Sequence, residues 1–380
     1  MDALQLLCVV GARPNFMKMA PLLWALQSYK NVQTTLVHTG QHYDGNLSDI
    51  FFQELGLRRP EVHLEVGSGT HAAQTARILE RLEAVLERGS PGGKGYDRVV
   101  VVGDVNSTMA AALAAAKLGI AVAHVEAGLR SFDRSMPEEI NRVVTDALSD
   151  MLFVSEPDGL ENLRREGHPE QQLHLVGNVM IDTLQRLLPQ AQERRILREY
   201  GLRAKQYGVV TLHRPSNVDT RDTLVRLLEV LMDYARHIPF VFPVHPRTQQ
   251  RIESFGLQGM LAGGTGLRQL PPLGYLDFLA LSSQAKVIVT DSGGLQEEAT
   301  ALGIPCLTAR PHTERPITVR EGSSTLVDSD PEKLRHCLEE LLAGRYKIGR
   351  CPALWDGHAA ERIARVLAGP SPRGSCSTPV

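Results

Sequence analysis

The sequence predicts an α/β protein built from two doubly wound, Rossmann-like domains facing a cleft. Three observations predict it. Short aliphatic runs alternate with helix-length amphipathic segments along a 380-residue chain. The runs are continuously apolar, as in parallel strands covered on both faces. The plan then starts again past the middle, and the length suits two domains better than one ordinary core.

In the first half the strand runs are "LQLLCVV" (4–10), "TTLVHTG" (34–40), "VHLEV" (62–66), "RVVVVGD" (98–104), "AVAHVEA" (121–127) and "MLFVSEP" (151–157). In the second they are "GVVTLH" (208–213), "PFVFPVH" (239–245), "KVIVTD" (286–291), "IPCLTA" (304–309) and "STLVD" (324–328). The charged, helical stretch around 180–205 reads as the bridge between halves. The expected domains are residues 1–180 and 181–355, with a Pro/Ser/Gly-rich disordered tail at 369–380. Ligands of open α/β sheets bind outside the carboxyl ends of the strands, so the polar residues there are the candidate site.

Composition narrows the function. With 43% hydrophobic and 22% charged residues and a net charge of −2, the chain is globular, and nonspecific nucleic-acid binding has no support. Cys8, Cys306, Cys337, Cys351 and Cys376 are odd in number and lack CxxC pairs, which argues against a disulfide framework or zinc site. Cys8 and Cys306 lie in apolar runs and read as core residues. There is no signal-peptide pattern and no apolar run near the ~20 residues that span a bilayer, so the expectation is a cytoplasmic protein without membrane contact. No HExxH or Asp/His cluster stands at ligand spacing, so no metal or cofactor is expected.

Charged side chains gather at the strand ends. "VVGARPNFMKMAP" (9–21) is a strand, a Gly turn and a helix, with Arg13 and Lys18 near helix N–H groups that can hold an anion. Asp104 follows four valines; it can cap the next helix, as can Asn106, Ser107 and Thr108, or serve in chemistry. "HVEAGLRSFDRSMPEEINR" (124–142) crowds four carboxylates and three arginines between a strand and a helix. "TDSGGLQEEA" (290–299) offers Ser292, Gly293 and Gly294 at a helix start, a good diphosphate cradle with no Walker lysine. Glu298, one turn inside, is either a ribose contact or a dipole-stabilised Glu. His213 with Arg214, and His245 with Arg247, end neighbouring strands and suit a polyanionic leaving group. Glu314 and Arg315 add to that side. Acids in the first half (Asp104, Glu126, Glu138) and a phosphate cradle in the second suit a nucleotide-sugar.

"GARPNFMKMAP", "QHYD", "GDVNST", "HVEAGLR", "MPEEINR", "GN" at 177–178, "HRPSN", "PVHP", "TDSGGLQEEA" and "TERP" occur in an order and spacing that resemble the non-hydrolysing UDP-N-acetylglucosamine 2-epimerase family, over about residues 5–367. The resemblance implies the glycosyltransferase-B type of fold, a C-terminal helix at about 356–368 crossing back to the first domain, and a homodimer. It implies catalytic roles for Asp104, Glu126, Glu138 and His213. It implies UDP-sugar binding by Arg13, Lys18, Arg142, Ser292, Gly293, Gly294, Glu298 and Arg315. Some members bind a second substrate molecule as activator; Gln41, His42, Arg214 and His245 fall at that subsite, while Asn15, Asp44 and "GSGTHAAQT" (67–75) depart from its pattern.

The implied reaction inverts carbon 2 of UDP-N-acetylglucosamine through a 2-acetamidoglucal. Loss of UDP gives the ring oxocarbenium character, which acidifies the neighbouring hydrogen enough for a carboxylate base. Inversion uses two faces, hence at least two acid/base groups in unequal protonation states. A hydrolysing epimerase, a transferase of the same fold and a sugar-binding module are the alternatives.

Overall fold

The structure is a computed structural model that describes residues 3–41, 54–262 and 266–369. Its contacts divide the chain into two compact units, Met1–Thr183 with Asp356–Val380, and Leu184–Trp355. The expected tail beyond residue 369, together with His42 and Asp44, lies outside the described residues.

The first unit is built on a seven-stranded sheet: β1 (Leu4–Val10), β2 (Val32–His38), β3 (Val62–His63), β4 (Arg98–Val102), β5 (Ala121–Ala127), β6 (Met151–Val154) and β7 (Leu173–Leu175). Its order is β3-β2-β1-β4-β5-β6-β7, and every pairing is parallel. That is the doubly wound 3-2-1-4-5-6 order with one strand added, and its switch point falls between β1 and β4. Its longer helices are α1 (Arg13–Leu26), α2 (His71–Arg88), α3 (Asn106–Lys117), α4 (Pro137–Leu148) and α5 (Pro157–Arg165). Val99, Val100, Val101 and Val102 of β4 are completely buried. Such burial on both faces is why the strand reads as an unbroken apolar run, each side chain contributing about 1.5–3 kcal/mol.

Helix α6 (Val179–Gln192) carries the chain out of this unit, and the chain returns for the last helix, Ala359–Ala368. That last helix packs on α1 and buries Ile363, Ala364 and Leu367. Asp182 of α6 fixes its start by accepting the Ala359 and Ala360 amides at 3.1 and 2.7 Å. Burial pushes the Asp182 carboxyl up to about 6, and the two amides oppose that rise.

The second unit has a six-stranded parallel sheet: β8 (Gly208–Thr211), β9 (Phe240–Pro243), β10 (Leu267–Leu270), β11 (Val287–Thr290), β12 (Cys306–Thr308) and β13 (Ser324–Leu326). The order β10-β9-β8-β11-β12-β13 repeats the doubly wound pattern, with the switch point between β8 and β11. α7 (Arg221–Tyr234), α8 (Pro246–Ser254), α9 (Tyr275–Ser283), α10 (Gly293–Ala301) and α11 (Pro331–Leu342) surround it, and the return helix is α12. Cys8 and Cys306 are fully buried in the two sheets, and burial pushes their thiols up to about 12 and about 11.

The strand reading needs three corrections. β7 ("LHL") and β10 ("LRQL") are strands that the apolar-run criterion passed over. Both are edge strands, where one side of the ladder is open and polar residues are tolerated. The run 62–66 pairs only at Val62–His63, because the backbone turns left-handed at Glu65, φ 50°. Among the described residues no helix is long and apolar enough to cross a membrane.

Candidate active site

In the first unit the polar residues cluster at the carboxyl ends of β1, β4 and β5, around the switch point. After β1 the chain turns through Gly11 into α1. Asn15 holds that turn from below: its amide oxygen accepts the Gly11 and Ala12 N–H groups at 3.2 and 3.0 Å, and its nitrogen donates to the Val102 carbonyl at 2.9 Å. Arg13 opens α1; its side chain is outside the described set. One turn on, the Lys18 ammonium reaches Glu126 Oε2 at 2.5 Å, with both side chains buried.

Two backbone features make that pair possible. Glu126 has a left-handed φ of 74° at a register shift between Val125 and Ala127, so its side chain leaves the pleat that β5 would impose. Gly103, φ 68°, gives Lys18 its space: a Cβ there would stand 2.9 Å from the Lys18 nitrogen. Of the two roles open to the next residue, Asp104, capping is not the one it takes: the cap position of α3 is Val105, without any side-chain bond, and α3 begins at Asn106. Asp104 instead accepts both Nε and Nη2 of Arg142 at 3.1 and 2.7 Å.

Arg142 also donates to Glu139 at 2.6 Å, and Glu139 accepts the Ser131 and Phe132 amides at 2.9 and 2.8 Å. Glu138, the acid singled out in the sequence, is exposed in the first turn of α4, whereas Glu139 is buried. The i,i+3 spacing of Glu139 and Arg142 was the available signal for that pair. Beneath the cluster, His124 spans Asp146 Oδ1 at 2.6 Å and the Gly103 carbonyl at 2.9 Å. Asp146 also accepts the Gly128 amide at 3.0 Å and pairs with Arg130 at 2.7 Å. Burial opposes its ionisation, yet His124 and Arg130 hold its carboxyl below the usual carboxylate range.

Gln41 is buried beside this cluster. Its side-chain oxygen accepts the Ser107 amide and hydroxyl at 3.1 and 2.7 Å, and its carbonyl accepts Gln74 at 3.0 Å.

In the second unit the site again surrounds the switch point. Asp291, at the end of β11, is the hub. Its Oδ1 lies 2.7 Å from His213 Nδ1, and its Oδ2 accepts the His213 and Arg214 amides and the Asn217 side chain at 2.9, 2.8 and 2.9 Å. Burial disfavours its charge, but His213 and the donated hydrogen bonds win and hold the carboxyl low. Asp291 is fully buried while His213 keeps 38% of its side chain exposed, an oriented imidazole with one free edge. His245 stacks near it at 5.3 Å between ring centroids and caps α8 through Arg247 N at 3.2 Å. Burial, then the neighbouring His213, lowers its pKa. Arg214 donates to the Asp291 carbonyl at 3.1 Å, and Arg247 turns to Asp219.

Ser292 caps α10, accepting Leu295 N at 3.4 Å. Gly293 sits under Arg315, whose nitrogen would meet an added Cβ at 2.8 Å; beside Gly294 nothing lies within 4 Å. Arg315 pairs with Glu314 at 2.6 Å and with Glu297, and Glu314 also accepts Arg310 at 2.6 Å. Glu298 is buried and accepts the Tyr275 hydroxyl at 3.0 Å. Burial pushes its carboxyl up to about 7; the Tyr275 hydrogen bond lowers it and Glu297 adds to the rise. Tyr275, Glu297 and Asp291 were missed as site residues because their partners come from other loops. Among the described residues no group of three or more His, Cys, Asp or Glu is placed to hold a metal ion.

The family described as UDP-N-acetylglucosamine 2-epimerase matches residues 24–368. A UDP-N-acetylglucosamine 2-epimerase of Methanococcus maripaludis is 40% identical over 95% of this chain and 97% of its own. A UDP-2,3-diacetamido-2,3-dideoxy-D-glucuronate 2-epimerase of Pseudomonas aeruginosa is 37% identical over 96% of this chain and 99% of its own. The crystal structure of a Methanocaldococcus jannaschii UDP-GlcNAc 2-epimerase in complex with UDP-GlcNAc and UDP superposes with a TM-score of 0.85 at 40% identity, covering 96% of this chain and 99% of that one.

Proposed function

Because the chain belongs to the UDP-N-acetylglucosamine 2-epimerase family, we propose that it interconverts UDP-N-acetylglucosamine and UDP-N-acetylmannosamine without hydrolysis. The observation that carries this reading is the pair of carboxylates on adjacent parallel strands: Asp104 after β4 and Glu126 at the end of β5, each against its own cation. Such an array supplies acid/base groups without a redox cofactor.

In this reading the second unit binds the nucleotide and the first carries the sugar chemistry. Ser292, Gly293 and Gly294 cradle the diphosphate at the positive end of α10, and Glu298 receives the ribose hydroxyls. His213, oriented by Asp291, faces the leaving phosphate. Arg315 would exchange one of its carboxylate partners for a phosphate oxygen. Arg13, Lys18 and Arg142 serve the sugar side.

The C1–O bond breaks and its electrons leave with UDP. The hydrogen on carbon 2 passes as a proton to one carboxylate, and a C1=C2 double bond forms. A proton then arrives from another carboxylate on the opposite face, and UDP adds back at C1. Asp104, Glu126 and Glu138 are the groups offered for these transfers. Lys18 pairs with Glu126 and Arg142 with Asp104, while Glu138 stands exposed at the start of α4, so the three acids sit in unequal surroundings. The enzyme works as a homodimer on this small-molecule substrate.

The test is product identity by NMR after incubation with UDP-N-acetylglucosamine. UDP-N-acetylmannosamine is the expected product. Free sugar plus UDP would make it a hydrolysing enzyme, and turnover only with an added acceptor would make it a transferase. The likeness to the Pseudomonas relative supports a second reading, in which the sugar is a 2,3-diacetamido uronate. Comparing kcat/KM for the two nucleotide-sugars decides between them.

A further inference from the structure

Phe132 stands out among the described residues for two reasons that conflict with a purely structural role. The residue is 75% exposed, and it is the one aromatic among the exposed large hydrophobic residues described. Its backbone is left-handed, φ 59°, a conformation that glycine adopts without penalty and phenylalanine does not. Folding alone would place a glycine or asparagine here. The segment holds a second residue of this kind, Glu126 at φ 74°, and that one presents a carboxylate to Lys18.

The position is also fixed. Glu139 accepts the Phe132 amide at 2.8 Å and the Ser131 amide at 2.9 Å. The same carboxylate takes Arg142 at 2.6 Å, and Arg142 holds Asp104 at 2.7 Å. Glu138, the exposed candidate acid, is the residue next to Glu139. The backbone that carries this unburied ring is thus tied, through a chain of charge-assisted hydrogen bonds, to the groups assigned to the sugar.

We infer that Phe132 is a specificity-determining residue whose ring packs against the acetamido-pyranose of the nucleotide-sugar. The inference rests on the proposed reaction and deepens it. A rigid aromatic offers apolar contact to the C–H face of a sugar at little conformational cost, and a flat ring beside carbon 2 would also keep water from the glycal. The strain is then held in the fold because the ring serves the substrate, not the core.

The test uses the full chain and the variants Phe132→Gly and Phe132→Leu. Gly relieves the left-handed strain, so its melting temperature should equal or exceed wild type. Its affinity for UDP, measured by calorimetry, should stay within twofold. Its kcat/KM for UDP-N-acetylglucosamine should fall at least tenfold, with Leu recovering part of the loss. A glycine variant within twofold of wild type in kcat/KM overturns the inference. So does a loss of UDP affinity that matches the loss of kcat/KM, because the effect would then not lie at the sugar. Should wild type itself fail to turn over the substrate, the proposed reaction falls first and this assignment with it.

Discussion

The Lys18 ammonium lies 2.5 Å from the Glu126 carboxylate, inside a unit where neither side chain reaches solvent freely. A buried ion pair is weak as a source of stability, since desolvation offsets much of the attraction. Removing one partner is another matter. Lys18→Met should cost about 3–5 kcal/mol, because it takes a paired cation away from a buried carboxylate. Lys18→Met combined with Glu126→Gln should recover much of that. Denaturant titration of the two single variants and the double gives the coupling; additive losses would contradict a direct pair.

Gly103→Ala tests the geometry behind that pair. The added methyl meets the Lys18 nitrogen at 2.9 Å and the backbone stays at φ 68°. The left-handed alanine should cost on the order of 1–3 kcal/mol. Turnover should fall further than this stability loss explains, since both Lys18 and the neighbouring Asp104 shift. Activity and melting temperature falling in simple proportion would argue that Gly103 is only a turn residue.

Gly294→Ala separates folding from nucleotide binding. Nothing lies within 4 Å of the added methyl, and alanine is the better helix former by up to about 1 kcal/mol. Thermal stability should hold or rise while UDP affinity drops at least tenfold, as a methyl intrudes on the cradle. Calorimetry with UDP reads the outcome, and undiminished affinity would remove Gly294 from the diphosphate site.

Two buried carboxylates should titrate stability in opposite senses. Asp146 is held below its ordinary 3.8, so its contribution is present above that value and is lost as pH falls below it toward the folded pKa. The gap in unfolding free energy between wild type and Asp146→Asn should therefore be full at pH 6 and shrink in that acid range. Glu298 is pushed up from 4.5 to about 7, so the folded state favours its protonated form. That advantage is complete below about 4.5 and is lost as pH rises through about 7. Glu298→Gln should gain on wild type in melting temperature between pH 5 and pH 8. A constant difference in either series would contradict the assigned environment.

The sequence made the sheets legible because parallel strands buried on both faces must be apolar throughout, as Val99 to Val102 are. It hid β7 and β10, since an edge strand such as "LRQL" carries no such requirement. At the site, the residue types at the strand ends were readable, but their partners were not. Glu138 and Glu139 are equivalent as text, and only the folded turn at Ser131 and Phe132 shows which one is buried. Asp104 was open to capping as well as to chemistry, because a carboxylate before a helix is often a cap. Its bond to Arg142 joins residues 38 positions apart, a distance no local pattern reports. Glu297, Glu314 and Arg315 are likewise brought together by the loop after β12.

Solvent isotope incorporation reaches the central claim most directly. Wild type incubated with UDP-N-acetylglucosamine in heavy water should return both nucleotide-sugars carrying deuterium at carbon 2, read by proton NMR. Glu126→Gln and Glu138→Gln should each suppress that uptake well beyond their effect on UDP binding. Interconversion with carbon 2 still fully protonated would contradict proton transfer through protein carboxylates.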